Sequence, residues 1–520
     1  MANDTDLKYA GISVIDILEL TPAMGNSVSI LPMLVNLVVH EDIFSPVLTG
    51  SITIHDAYGL FNHLPISGNE TINLKFHSYG YDKNNNAINF IHRTFDVVKV
   101  SNVSQATDHA KNYTLTFASP ELKLNNTIKI SASYQNQSIS KIVSSIMTGV
   151  YDVDYTLSPQ PSPMGLGFPT TSSMTITVAA SDDNHLPLLT TDNIETDTKI
   201  FSADQDVELF VEKTKGDEAC ITIPYMKPFD AIRWLSRRAI RNQIPVNSGQ
   251  YGLDPYDSTN FLFFENKRGY QFVSLTSLFE DNGNKKKSIL RMGSALSNVD
   301  RNWNVDVIEK LSIQRCYDIL GNISAGVYSS KLSTYELSTG EVKDIDYNYL
   351  DTFYQNTSID GAPGTTPSNY PTIFLDEQDQ NPLTTKPLSK RMLLPVSHIR
   401  DRDGITSGYT SRFNEPDATP LVGAEQYLQN RISQLAKLAD FRVKANVPAN
   451  SKHKVGDIVE LDLSMWGISP IDTHQSDIQI KTNKYYSGNY LITAITHVIS
   501  NTAYEMQLEL VKDSLKARIG

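Results

Sequence analysis

Residues 29–56 read SILPMLVNLVVHEDIFSPVLTGSITIHD, and residues 305–332 read VDVIEKLSIQRCYDILGNISAGVYSSKL. In the first stretch Val35 and Leu37 alternate toward Asp42-Ile43, and Gly50 follows eight residues after Asp42. In the second, Leu311 and Ile313 alternate toward Asp318-Ile319, and Gly326 follows eight residues after Asp318. Each stretch reads as a strand, a turn carrying an acid, and a second strand entered through glycine. Two copies of one β-unit in one chain predict a duplicated barrel, a way of building a ring with twice as many units as chains.

The chain around this repeat is too long for one core. At 520 residues it predicts three or four domains. The hydrophobic fraction of 40% is that of a globular protein, and 25 Tyr with 19 Phe suit a β-rich one. A formal charge of −13 disfavours a nucleic-acid-binding surface, which calls for a basic excess. Cys220 and Cys316 are isolated, so neither a ligand cluster nor a disulfide framework is expected, and synthesis in a reducing compartment is. The polar start Met1 to Asp6 lacks the features of a secretory leader, and no apolar run approaches the ~20 residues that span a bilayer.

Working outward, alternation predicts strands over 12–20, 28–39, 51–54, 72–76, 95–100 and 113–117, a small antiparallel barrel or sandwich. Ser138 or Ser140 can cap a helix holding Ile142, Val143, Ile146 and Met147. Residues 157–200 carry five prolines and read as a long surface loop. Pro228 sits where the first turn of a helix belongs, and Phe229, Ile232 and Leu235 follow at helical spacing, so a helix over Pro228–Asn242 should bury them. Phe261 to Phe272 reads as the hairpin they pack on. Residues 345–420 hold eight prolines and little periodicity, an insertion in the second barrel. A helix resumes at Gly423–Lys437, and strands follow at 441–447, 457–463, 485–498 and 504–511.

The expected fold class is α+β, predominantly β: two similar antiparallel β-barrels, an α+β middle domain and a loop-rich insertion. The expected boundaries are 1–120 for the first barrel and 121–300 for the middle domain. The second barrel takes 301–345 and 420–513, the insertion 346–419, and a tail 514–520.

Patterns of catalysis and ligand binding fail on spacing. No His-Glu-x-x-His, Walker-type loop or Gly-x-Ser-x-Gly is present. Gly165-Leu166-Gly167 runs into Phe168-Pro169 and opens no helix. Asp401 to Gly404 resembles part of a calcium loop, but Ile399 and Thr410 stand at its first and twelfth positions. His40-Glu41-Asp42 reads as a solvated strand end, and Lys285–Lys287 as a hairpin tip. Arg233, Arg237, Arg238 and Arg241 fit either a solvated helix face or an acidic partner. Acidic pairs such as Asp182-Asp183 lie in loops, where nothing desolvates them for acid catalysis. No catalytic residue, cofactor site or metal site is expected.

Three patches, in order along the chain, resemble the baseplate hub proteins of contractile-tailed bacteriophages. They are Glu41 to Gly50 with His55-Asp56 and Leu64 to Glu70; the helix Pro228 to Ala239 with Phe261 to Glu265 and Gly269-Tyr270; and Ser487 to Ile492 with His497 and Tyr504 to Asp513. A related fold occurs in the spike proteins of type VI secretion. The resemblance implies a homotrimer presenting six similar barrels around a channel. One face would continue a sixfold tail tube and the other would receive a threefold central spike, with other baseplate proteins around it. DNA would pass through the lumen without specific binding. The chain would belong to the virion tail, made in the host bacterial cytoplasm, with no membrane insertion. The competing classes are a receptor-binding tail protein, for which the Pro/Thr-rich segments would be binding loops, and a tail-borne cell-wall hydrolase, against which the missing acid/base set argues.

Overall fold

Alternation carries through the first strand unit. Its members are β1 (Ser13–Thr21), β2 (Val28–Ser29), β3 (Leu34–Asp42), β4 (Thr49–Asp56), β5 (Thr71–Ser78), β6 (Phe90–Thr107) and β7 (Ala110–Ala118). Antiparallel pairing runs β1–β5–β6–β7–β4–β3. Strand β2 continues into β3 through a 3-10 turn at Leu31–Met33, begun by Pro32, and pairs back on β1. The computed structural model describes residues 13–23, 26–60, 66–78, 90–107, 110–134, 137–148, 174–179, 207–214, 221–241, 260–279, 288–292, 306–314, 318–336, 342–353, 358–360, 366–367, 386–396, 424–448, 450–463, 486–500 and 503–515. Both cysteines, Gly165–Gly167, Asp182-Asp183, Lys285–Lys287 and Asp401–Gly404 lie outside these residues.

The middle domain follows as α1 (Glu121–Thr127), β8 (Ile130–Tyr134), α2 (Ile139–Thr148), β9 (Met174–Ala179), β10 (Val207–Glu212), β11 (Ile221–Met226), α3 (Pro228–Ser236), β12 (Phe261–Asn266), β13 (Gly269–Ser274) and α4 (Leu275–Phe279). Strands β12, β13, β10 and β9 form one sheet, and β8 pairs with β11. Strand β9 corrects the reading of 157–200 as a loop throughout, since it lies parallel to β10. Helix α3 also stops short of Asn242. The Arg238 amide turns back to the Leu235 carbonyl, and Arg241 leaves to pair with Glu212 at 2.8 Å.

Hairpin β12–β13 serves two cores because side chains alternate across a strand. Phe261, Phe263, Tyr270 and Phe272 pack into the middle-domain core with Phe229, Ile232 and Leu235 of α3, all buried. Phe264, with Leu262 and Val273, faces the core shared by both strand units. The Phe263 and Tyr270 rings stack 5.8 Å apart, and Phe229 approaches Phe263 at 5.7 Å.

The second unit comprises β14 (Ile289–Met292), β15 (Val307–Ile308), β16 (Lys310–Gln314) and, after an insertion, four later strands. The insertion holds α5 (Ile319–Ala325), β17 (Ser329–Glu336), β18 (Val342–Asn348), α6 (Tyr349–Phe353), β19 (Thr366–Pro367), β20 (Arg391–Val396) and α7 (Ala424–Asp440). The later strands are β21 (Arg442–Pro448), β22 (Ile458–Asp462), β23 (Gly488–Ser500), β24 (Ala503–Val511) and β25 (Ser514–Leu515). Pairing runs β14–β22–β23–β24–β21–β16, and β15, continuous with β16, pairs back on β14. This is the order of the first unit, with β14, β22, β23, β24, β21 and β16 standing for β1, β5, β6, β7, β4 and β3.

The observed architecture is mostly β, with one large mixed sheet of 14 strands joining the two units. It is not purely antiparallel: β14 runs parallel to both β15 and β22. Residues 22–27 allow only a hairpin between β1 and β2, whereas residues 293–306 are long enough for a parallel return. Three boundaries shift accordingly. Strand β14 belongs to the second unit, not to a middle domain ending at 300. The insertion begins by 318, because β17 and β18 form a separate sheet with β20. Ser514 and Leu515 pair with β19 and are no loose tail.

Candidate functional site: the junctions of the two strand units

The two units meet edge to edge along β3 and β23, from Asp42 opposite Ala494 to Leu37 opposite Ile499. The Ile43 amide extends the ladder to the Thr493 carbonyl at 2.9 Å, and the side chains of His40 and Thr496 meet at 3.1 Å. Register sets Thr49 and Ala118 at one end of the first unit, and Gln314, Arg442 and Val511 at the corresponding end of the second. The antiparallel β3–β23 ladder aligns these two ends. The middle domain and the insertion therefore leave the sheet from the same end, while the β6–β7 and β23–β24 turns lie at the other. Arg431 of α7 ties the two added domains together, donating to the Ser236 carbonyl at 2.8 Å and to Asn260 at 3.1 Å.

Buried charge marks each junction. Under the β3–β23 seam, Glu41 Oε1 lies 3.6 Å from His497 Nε2, and His497 Nδ1 lies 2.8 Å from the Tyr504 hydroxyl, with none of the three exposed. Burial, with the Glu41 charge next in effect, lifts Tyr504 well above the usual phenol range, so it stays neutral. Beside them His453 is pushed down to about 4, chiefly by burial. Lys267, at the β12–β13 turn, falls to about 8 for the same reason and donates to the Ser451 and Lys452 carbonyls.

At the junction of the first unit with the middle domain, Glu265 accepts from the Leu48 amide at 2.9 Å and from the Ser119 hydroxyl at 2.5 Å. Arg93 of β6 reaches Glu265 at 3.8 Å and donates to the Asn266 carbonyl at 3.2 Å. At the junction of the second unit with the insertion, Lys512 meets Asp360 at 2.9 Å, and Asp360 accepts from the Asn489 amide at 2.9 Å. Next to them, burial raises the Asp513 carboxyl to about 6. Inside the insertion, Lys437 pairs with Asp440 at 3.1 Å and lies over the Tyr328 ring. Placed in this way, these acids and bases link the domains.

The residues singled out by the repeat divide between contexts. Asp42 closes the turn after β3 by accepting from the Phe44 amide, Ile43 is buried at the seam, and Gly50 lies inside β4 between Val39 and Phe117. Asp318 instead caps α5, accepting from the Gly321 amide at 2.8 Å, and Gly326 ends that helix at φ 77°. Ile319 is half-buried in the first turn of α5. The residue alignment of Asp42 with Asp318 and Gly50 with Gly326 therefore does not hold. A turn-plus-strand and a capped helix happen to share one spacing, and the repeat lies in pairing order instead.

His40-Glu41-Asp42 also reads differently in three dimensions, because Glu41 is buried. The signal was in the alternation: Leu37, Val39, Glu41 and Ile43 share one face. Arg93 falls on the face of Ile91, Phe95 and Val97 by the same count. On α3, Arg233 donates to the Phe44 carbonyl, and just past its end Arg238 lies 3.6 Å over the Trp234 ring. Beyond the helix, Arg241 pairs with Glu212 of the same chain. Among the described residues no three metal-ligating side chains converge, and no helix is long and apolar enough to cross a membrane.

No protein-family model and no curated relative matches the chain. Among solved structures it is similar to a tail protein of Neisseria meningitidis, at 9% identity over 96% of both chains with a TM-score of 0.43. It is similar to the 43 kDa tail protein of prophage MuSo2 from Shewanella oneidensis, at 9% identity over 95% of this chain and 97% of that one, TM-score 0.41. An Escherichia coli component of the type VI secretion system, described as similar to bacteriophage T4 tail proteins, aligns at 10% identity over 97% of this chain and 78% of its own, TM-score 0.35.

Proposed function

We propose that the chain is the structural hub of a contractile phage-tail baseplate: a homotrimer whose two strand units per subunit act as barrels and make a pseudo-sixfold ring. The observation that carries this reading is the shared pairing order of the two units, fused side by side through β3 and β23 with matching ends aligned. A trimer meets a hexamer only if each chain supplies two matching contacts, and duplication supplies them. The end with the β6–β7 and β23–β24 turns faces the tail tube. The end covered by the middle domain and the insertion faces the threefold spike and the surrounding baseplate proteins.

The resemblance in Glu41 to Gly50, Pro228 to Ala239 and Ser487 to Ile492 supports the same reading. Two of these patches contribute to junctions, Leu48 to the Glu265 joint and Asn489 to the Asp360 joint, and the third supplies Phe229 to the middle-domain core. DNA passes through the ring without being gripped. DNA presents one negative charge per ~1.7 Å of its axis, so the bore carries polar side chains and few Lys or Arg. Burial of the junction acids suits a binding and symmetry-adapting role and no hydrolysis.

Native mass measurement together with electron-microscopic imaging tests the proposal. The expected particle is a trimer with a central hole and six similar lobes. A protein that stays monomeric with its tube and spike partners present, or a bore lined by arginines, overturns it. Release of soluble fragments from peptidoglycan would favour the hydrolase instead, and specific adhesion to host-cell glycans the receptor-binding protein.

A further inference from the structure

The junction between the first strand unit and the middle domain holds two carboxyl groups against one cation. Glu265 on β12 and Glu121 in the first turn of α1 are both buried, as is Arg93 on β6. Two hydrogen bonds, from the Leu48 amide and the Ser119 hydroxyl, with the Arg93 guanidinium 3.8 Å away, mark Glu265 as the ionised member. Arg93 is already divided, since one of its terminal nitrogens serves the Asn266 carbonyl. Glu121 has weaker support, from its own backbone amide, the Tyr270 hydroxyl and the shared Arg93 charge. Its Oε2 has no hydrogen-bond partner among the described residues, and its carboxyl faces the Tyr270 hydroxyl on β13 and the charge of Glu265. The next acid, Glu41 on β3, adds negative potential at Glu265 and has its own partner in His497. A single guanidinium cannot offset two buried carboxylates, because an unpaired buried charge costs several kcal/mol.

We propose that Glu121 and Glu265 retain one proton between them, and that this proton couples the docking of the middle domain on the first strand unit to pH. While the proton is held, the hairpin β12–β13 stays seated between the two cores. When it is lost, two buried carboxylates of the middle domain, on α1 and β12, are left to the one Arg93 charge that the first unit brings to the joint. The coupling is a property of the folded chain and stands independently of the assembly proposed above.

The direction follows from the environment. Burial, and next the Glu265 charge, push Glu121 up to about 8, while Tyr270 and Arg93 pull the other way. Burial likewise raises Glu265, and Arg93 opposes it. A carboxyl whose folded value is raised contributes stability that is full below the unfolded carboxylate range. That contribution declines as pH rises and is gone once pH passes the folded value. The window therefore runs from about 4.5, the ordinary value, to about 8, and the joint itself loses its proton at the upper end.

Two readouts test this on the full chain. Infrared spectroscopy at pH 7 should show the carbonyl stretch of a buried protonated carboxyl that fades with a midpoint near pH 8 and is missing in Glu121→Gln. Amide exchange, corrected for its intrinsic pH dependence, should lose about tenfold protection over residues 119–127 and 261–270 between pH 7 and pH 9 in the wild type, the change one unit past a midpoint brings. Glu121→Gln, neutral at every pH, should lose none. If the variant does not fold, the wild-type band and its midpoint decide by themselves. Absence of a band titrating near pH 8, or an equal pH response in wild type and a folded Glu121→Gln, overturns the proposal.

Discussion

Lys512 Nζ lies 2.9 Å from the Asp360 carboxylate, and neither side chain is exposed to solvent. The pair joins the residue after β24 to a short segment of the insertion, so it fastens the second strand unit to the domain that interrupts it. The Ser487 carbonyl takes another Lys512 proton, and the Tyr490 ring lies 5.2 Å from the ammonium. Lys512→Met should deprive the buried Asp360 carboxylate of its ammonium and cost about 3–5 kcal/mol in denaturant unfolding. Adding Asp360→Asn should recover part of that loss. Equal destabilisation in the single and double variants would mean the pair is not the fastening.

Gly50 occupies a place where space, and not backbone conformation, excludes a side chain. A Cβ there would sit 2.3 Å from the Val38 carbonyl oxygen and 2.4 Å from the Phe117 ring. Gly50→Val should cost about 1–3 kcal/mol or more, since strand backbone cannot give way as a flexible side-chain end can. A thermal midpoint unchanged from wild type would refute the close approach.

Leu235 is wholly buried in the core shared by α3 and the β12–β13 hairpin. Leu235→Ala should destabilise the middle domain by about 2–5 kcal/mol through lost contact and the cavity left behind. Amide exchange should speed up over 228–236 and 261–274 and much less over β6 and β7. Uniform acceleration across the chain would show that the middle domain does not open on its own.

On the acid side, His453 is the group to watch. Its folded value lies near 4 because burial opposes the charged ring, with Lys267 and Lys452 acting in the same sense and Asp457 against them. A depressed histidine contributes stability that is present above its ordinary value of 6.5 and is lost as pH falls toward 4. Unfolding midpoints should drop across that window, and His453→Gln should flatten the drop. An unchanged slope in the variant would assign the acid sensitivity to other groups.

Much of the local structure is legible residue by residue. The alternation of Leu37, Val39, Glu41 and Ile43 marks a strand and the face it buries. Pro228 with Phe229, Ile232 and Leu235 marks a helix, its start and its buried side. The run Phe261 to Phe264, apolar at every position, marks a strand with a core on both faces, as β12 has. The Asp–Gly spacing misled because one interval suits two structures. Read as a capping pair, Asp318 and Gly326 describe a helix of the right length, and that signature was present in the chain.

The duplicated unit is legible in strand pairing order and not in the Asp–Gly spacing; what local pattern along the chain marked is several of the strands and helices and the faces they bury. These properties depend on neighbours two to four residues apart, where sterics and hydrophobic periodicity act. The pairing of β3 with β23, the place of β14 in the second unit, and the burial of Glu41, Glu265 and Asp360 beside His497, Arg93 and Lys512 arise from folding in three dimensions. The backbone groups of a strand edge are the same whatever the side chains, so pairing is chosen by the whole sheet at once. A buried charge needs its partner within a few ångströms in space, and nothing in local spacing says which distant residue will supply it.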